Sequence, residues 1–292
     1  MYQTIQNLSI DVAIGAAACS ILFYILTGQA IYIPSLISLS LVVWLIYTLD
    51  HLIDAKKIKI QAVIPRHRFH QENFQTILLA WIIIAIITSF SIIYYLYPLT
   101  IYLGCVGFVL VTLHFSLVKL FEFKVSPFIL KEFGIALIYT FGVSICALST
   151  AFLGITFAVV ISLIQVFLLA CINLIEFSLF EIAKDEKEKQ TSFARALGEK
   201  NTKYLLYGLI ILNFLIAAFA LYSSPDFKFI LVEIIFLIMN ALLLLILLKG
   251  DYFKYHERYR MLGDAVFLLP MLLFFFLKPR VILPNFFQYL SS

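Results

Sequence analysis

Nine stretches of this sequence are long and apolar enough to cross a bilayer: 8–28, 31–50, 75–96, 99–119, 129–151, 153–181, 203–222, 227–248 and 262–278. A hydrocarbon core takes roughly 20 residues of helix, and inside it every backbone N–H and C=O must find its partner within the segment. The runs therefore predict an all-α fold, a polytopic helical bundle of about nine transmembrane helices forming a single domain over 1–292. Composition agrees, with 63% hydrophobic and 13% charged residues where soluble domains carry about a quarter charged. The first run has no basic leader and no small-residue cleavage site after it, so it is expected to be retained. Cys19, Cys105, Cys146 and Cys171 each fall inside an apolar run and are expected to act as small hydrophobes.

Charge orders these runs. The connections after the first, third, fifth and seventh are short and hold one basic residue, Lys228. The other connections hold Lys56, Lys57, Lys59, Arg66, Arg68, Lys119, Lys124 and Lys131, then Lys184, Lys187, Lys189, Arg195, Lys200 and Lys203, then Lys249, Lys254, Arg258 and Arg260. Eighteen of the 21 basic residues thus share one face. The positive-inside bias puts that face and the N-terminus in the cytosol and the C-terminus outside, with cytosolic loops 51–74, 120–128, 182–202 and 249–261. A net charge of +4 is accounted for by topology and anionic lipid, and calls for no nucleic-acid partner.

Carboxylates at the ends of runs are costly and informative. The second run ends WLIYTLDHLIDAKK, which sets Asp50 and Asp54 four apart, on one face if the helix continues. The sixth ends NLIEFSLFEIAKDEKEK, where Glu181 and Asp185 repeat that spacing at the same depth and side. Two such pairs facing each other would offer hard oxygen ligands to Mg²⁺, which takes one or two carboxylates together with substrate phosphates. Taken singly, each pair also reads as a helix end entering water, with ordinary i,i+4 pairing to lysine.

The arrangement resembles the UbiA superfamily of intramembrane aromatic prenyltransferases, in its nine helices and its two acidic motifs on cytosolic loops. That family's first motif, an Asn and two Asp spaced by four and then an Arg next to Pro, is matched by Asp50, Asp54, Pro65 and Arg66, with Ile46 in the Asn position. Counting back from Gly198, which in the family begins the next helix, puts Ser192, Asp185 and Glu181 in register with the second motif. A further acid is missing from its usual place, with Asn173 and Glu176 nearby. FSLVKLFEFKVSPFILKE resembles the family's Lys-rich connection through Ser116, Lys119 and Lys131. The resemblance implies Mg²⁺ held by Asp50, Asp54, Glu181 and Asp185, an isoprenyl diphosphate clamped by Arg66, Arg68 and Lys119, and transfer of the prenyl group to an aromatic or other lipophilic acceptor. Glu176 is then placed to take a proton from the acceptor, with Asn173 beside it.

Other signals carry less. His51, His67 and His70 allow a metal reading, but a basic amphipathic loop explains them too. Asp264 is expected to pair with Arg258 or Arg260, and Asp11 and Glu233 to be structural acids reached by water near span ends. A transporter would place its binding groups at mid-membrane on broken, repeated helices, and neither pattern is present. A prenyltransferase-like scaffold without catalysis fits the departures at Ile46 and Glu181. Chain length, acceptor and oligomeric state are not written in the sequence.

Overall fold

A computed structural model describes residues 2–58, 60–121, 128–151, 155–188, 190–224 and 226–283. In chain order its helices are α1 (Tyr2–Asn7), α2 (Ile10–Leu26), α3 (Ile33–Lys57), α4 (Pro65–Glu72), α5 (Phe74–Tyr95), α6 (Pro98–Phe121) and α7 (Phe128–Leu148), then α8 (Phe157–Glu188), α9 (Phe193–Leu197), α10 (Glu199–Ser223), α11 (Phe227–Leu248), α12 (Gly250–Lys254), α13 (Arg258–Val266) and α14 (Leu272–Leu277). Two short strands, β1 (Ile31–Tyr32) and β2 (Val281–Ile282), pair in parallel and join the two halves of the chain at the end opposite the acidic residues.

The protein is an integral multi-pass helical membrane protein. Among the described residues seven helices are long and apolar enough to cross a bilayer, and the pair Gly250–Val266 and Leu269–Leu277, bent by 40°, makes an eighth span. The 17-residue α2 is apolar but shorter than these spans. The last span thus differs from the straight run 262–278: it is bent by 40° between Val266 and Leu269, with Pro270 just after the break. Two helices outrun their apolar segments. At 1.5 Å per residue the 32 residues of α8 reach about 48 Å, against a hydrocarbon core of about 30 Å. Its last turns, like those of α3, therefore carry Asp and Glu out of the apolar layer while still helical. Connections 51–74 and 182–202 accordingly begin inside helices, and each also contains a short one, α4 or α9.

Lipid and core faces separate by residue size. Ile82, Ile83, Ile86 and Phe90 of α5 and Phe108 and Val109 of α6 are exposed to what would be lipid. The central α2 is instead buried through Ala16, Ala18, Leu22, Phe23 and Tyr24. Its small residues let neighbouring backbones approach closely, as membrane helices require: a Cβ on Gly15 would lie 3.1 Å from that of Phe267. Glu233 and Asp11 are buried, not reached by water. Glu233 instead accepts a 2.9 Å hydrogen bond from Gln165 Nε2, linking α11 to α8 inside the bundle.

Candidate functional site

The C-terminal ends of α3 and α8, the start of α7, α4, α9 and the start of α13 meet at one end of the bundle, where the sequence concentrates its charge. Gly198 occupies a positive φ of 84° just before α10, a conformation glycine adopts without steric cost, so the chain can turn there between α9 and α10. Asp50 and Asp54 lie one turn apart on α3, and Glu181 and Asp185 one turn apart on α8. The Lys131 ammonium, at the start of α7, sits in the field of Asp50, Asp54, Glu132 and Asp185, and so links the two acidic helices electrostatically. Glu132 is buried and accepts a hydrogen bond from the Phe193 amide at 3.0 Å, which fixes α9 across the same end.

The four carboxylates are not equivalent. Glu181 is engaged on both oxygens: Oε1 accepts from Arg260 Nε at 2.7 Å and from the Tyr259 hydroxyl at 2.8 Å, and Oε2 accepts from Arg260 Nη2 at 2.6 Å. Tyr259 stacks on Phe180 with centroids 4.7 Å apart, and the Arg260 guanidinium lies 5.0 Å from the Phe177 ring centroid. Asp54 faces Nε2 of His67 at 3.9 Å. Among the described residues no three His, Cys, Asp or Glu side chains stand close enough together to hold a metal ion by themselves.

Arg66 is buried on α4, where its guanidinium lies 3.7 Å from Asp264 and 3.3 Å from Nε2 of His51. Burial, with Arg260 nearby, lowers its proton affinity, and Asp264 opposes that. The expected pairing is thereby exchanged: Asp264 meets Arg66, Arg260 takes Glu181, and Arg258 stacks over Tyr252 at 4.5 Å. The reason is tertiary, since α13 packs on α8 and α2 and turns its successive faces to different partners. Arg68 is exposed and donates from Nε to the Ala62 carbonyl at 3.0 Å. The Lys119 side chain and Lys124 lie outside the described residues. Deeper in α8, Asn173 and Glu176 are buried, and neither oxygen of Glu176 has a hydrogen-bond partner among the described residues.

A solved structure described as a UbiA homolog from Archaeoglobus fulgidus bound to DMAPP and Mg²⁺ matches this chain with a TM-score of 0.59, over 92% of this chain and 97% of that one, at 9% identity. This chain has the UbiA-like fold. No family model matches its sequence. No curated protein matches it either.

Within the UbiA-like bundle, the structure adds residues that the sequence reading left unassigned. Tyr259, Glu132 and Glu188 all bear on the site, and Arg260 enters it through a partner 79 positions away in sequence. Lone aromatic or acidic residues in interface-flanking segments give no local signal of such pairings. The one hint was the density of charge in 249–261.

Proposed function

We propose that the protein transfers an isoprenyl group from a prenyl diphosphate to a lipophilic acceptor within the membrane, with Mg²⁺ as cofactor. The observation that carries this reading is the convergence of the α3 and α8 carboxylates and Lys131 at one end of a UbiA-like bundle. The donor set fits the ion: Asp50, Asp54 and Asp185 are hard oxygen ligands, and Mg²⁺ needs only one or two of them when phosphate oxygens complete its shell. These three residues would hold it. Bound there, Mg²⁺ would neutralise charge developing on the diphosphate as the allylic C–O bond breaks.

The chain's own groups do the rest. Lys131 and the exposed Arg68 are placed to donate hydrogen bonds to diphosphate oxygens, with Lys119 as a further donor. Buried Arg66 orients α4 through Asp264 and His51, and Glu181 holds Arg260 toward the same space. The apolar interior below excludes water from the prenyl cation. Glu176, buried and without a hydrogen-bond partner among the described residues, takes the proton released by the acceptor, with Asn173 three residues before it on α8. The acidic end faces the cytosol, together with the N-terminus, and the C-terminus lies outside.

The test is binding of a non-hydrolysable prenyl diphosphate analogue to purified protein in detergent, with and without Mg²⁺. Mg²⁺-dependent binding is expected. Folded protein that binds no analogue at any Mg²⁺ concentration would overturn the reading.

A further inference from the structure

The two carboxylate pairs have the same spacing but different partners. On α8, the planar guanidinium of Arg260 chelates both oxygens of Glu181, a fork geometry that Lys cannot reproduce. The pair is nearly out of water, with side chains 13% and 7% exposed, and breaking such a pair by withdrawing one member leaves an uncompensated buried charge. Packing fixes it further. Tyr259 stacks on Phe180 and bonds the same carboxylate, Arg260 lies over Phe177, and Lys184 of α8 pairs with Glu257 just before α13. A cation approaching Glu181 would have to displace all of this. Asp185, the remaining acid of that pair, lies in the field of both Lys131 and Arg260. Lys131 also lies in the field of Asp50 and Asp54 and is shared between the pairs, so the cation particular to α8 is Arg260.

On α3 the balance differs. Asp50 and Asp54 lie in each other's field, and neither is chelated by an arginine among the described contacts. We propose that the site takes one divalent cation, at Asp50 and Asp54 with Asp185 reaching it from α8, and that Arg260, held on Glu181, supplies the positive charge a second cation would bring. Arg260 is then part of the diphosphate clamp, and Glu181 is a positioning residue rather than a metal ligand. This inference rests on the prenyl diphosphate reading given above.

Counting Mn²⁺ bound per chain by electron paramagnetic resonance, with the non-hydrolysable analogue saturating, tests it without turnover. The wild-type protein should bind one ion. Arg260→Gln uncovers Glu181 beside Asp185 and should raise the count to two. Glu181→Gln, a change of one atom in the side chain, should leave the count at one, and it carries the test if Arg260→Gln does not fold. Two ions in the wild type, one ion in folded Arg260→Gln, or loss of the ion in Glu181→Gln would each overturn the inference without bearing on whether the wild type binds the analogue. Absence of analogue binding in the wild type is a separate signal, and it would remove the prenyl diphosphate reading and this inference together.

Discussion

Nδ1 of His67 lies 2.7 Å from Oε2 of Glu188, joining α4 to the last residue of α8. The other oxygen of Glu188 accepts from the amides of Val63 and Ile64 at 2.6 and 2.7 Å. One carboxylate thus seats the segment that leads into α4, and it points the opposite edge of the His67 ring at Asp54. Glu188→Ala should strand two backbone N–H groups and the imidazole, costing about 1–3 kcal/mol per buried group left unsatisfied. Limited proteolysis between Lys56 and Arg68 should become faster. Unchanged cleavage there would show that α4 is held by other contacts.

Asp54→Asn and Asp185→Asn keep size and hydrogen bonding but remove a charged ligand. Analogue affinity at fixed Mg²⁺ should fall by about tenfold to a hundredfold or more, the range seen when even indirect metal partners are lost. Thermal unfolding in detergent, measured on the same variants, should move little. A large fall in unfolding temperature with unchanged affinity would assign these acids to folding instead.

Gly263 marks where α13 touches α8. A Cβ there would lie 2.4 Å from Oδ1 of Asn173 and 2.7 Å from the Phe177 ring, too close without movement of both. Gly263→Ala should destabilise the protein by about 1–3 kcal/mol, the usual cost of overpacking. Because α13 carries Arg260, the same change should weaken analogue binding as well. An unfolding temperature equal to that of the wild type would mean that α13 is free to shift.

His70 lies outside the spans, fully buried, with Nδ1 2.9 Å from the Arg66 carbonyl and its ring 5.2 Å from that of His51. Burial pushes its proton affinity below the ordinary 6.5, helped by the Arg66 guanidinium and only partly opposed by the hydrogen bond to the Arg66 carbonyl. The sign follows: the unfolded chain takes up the proton first as pH falls, so this contribution is intact above 6.5 and is lost as pH drops from there through the lowered folded value. Thermal unfolding should therefore weaken on acidification, and His70→Gln should lose less than the wild type over the same interval. Parallel curves for the two proteins would rule this residue out as the source.

Orientation can be read by labelling. In a background lacking the exposed Cys105, single cysteines near Lys57, Lys187 and Lys254 should react with an impermeant reagent from the cytosolic side, and one near Asp226 from the other. Labelling of all four from one side would end the proposed topology.

The membrane architecture was legible in the sequence because lipid enforces it locally: a run such as that of α11 has few other ways to satisfy its backbone. The i,i+4 spacing of Asp50 with Asp54 and of Glu181 with Asp185 was equally legible, since helix geometry alone puts each pair on one face. What spacing did not determine is the state of those carboxylates. Glu181 and Asp54 look alike in sequence, yet one is locked to Arg260 and Tyr259 and the other faces His67. That difference arises from the bend that brings α13 back against α8 and from the fold of α4 over α3. Both are contacts between segments far apart in the chain, made because buried charge must find a partner wherever packing offers one.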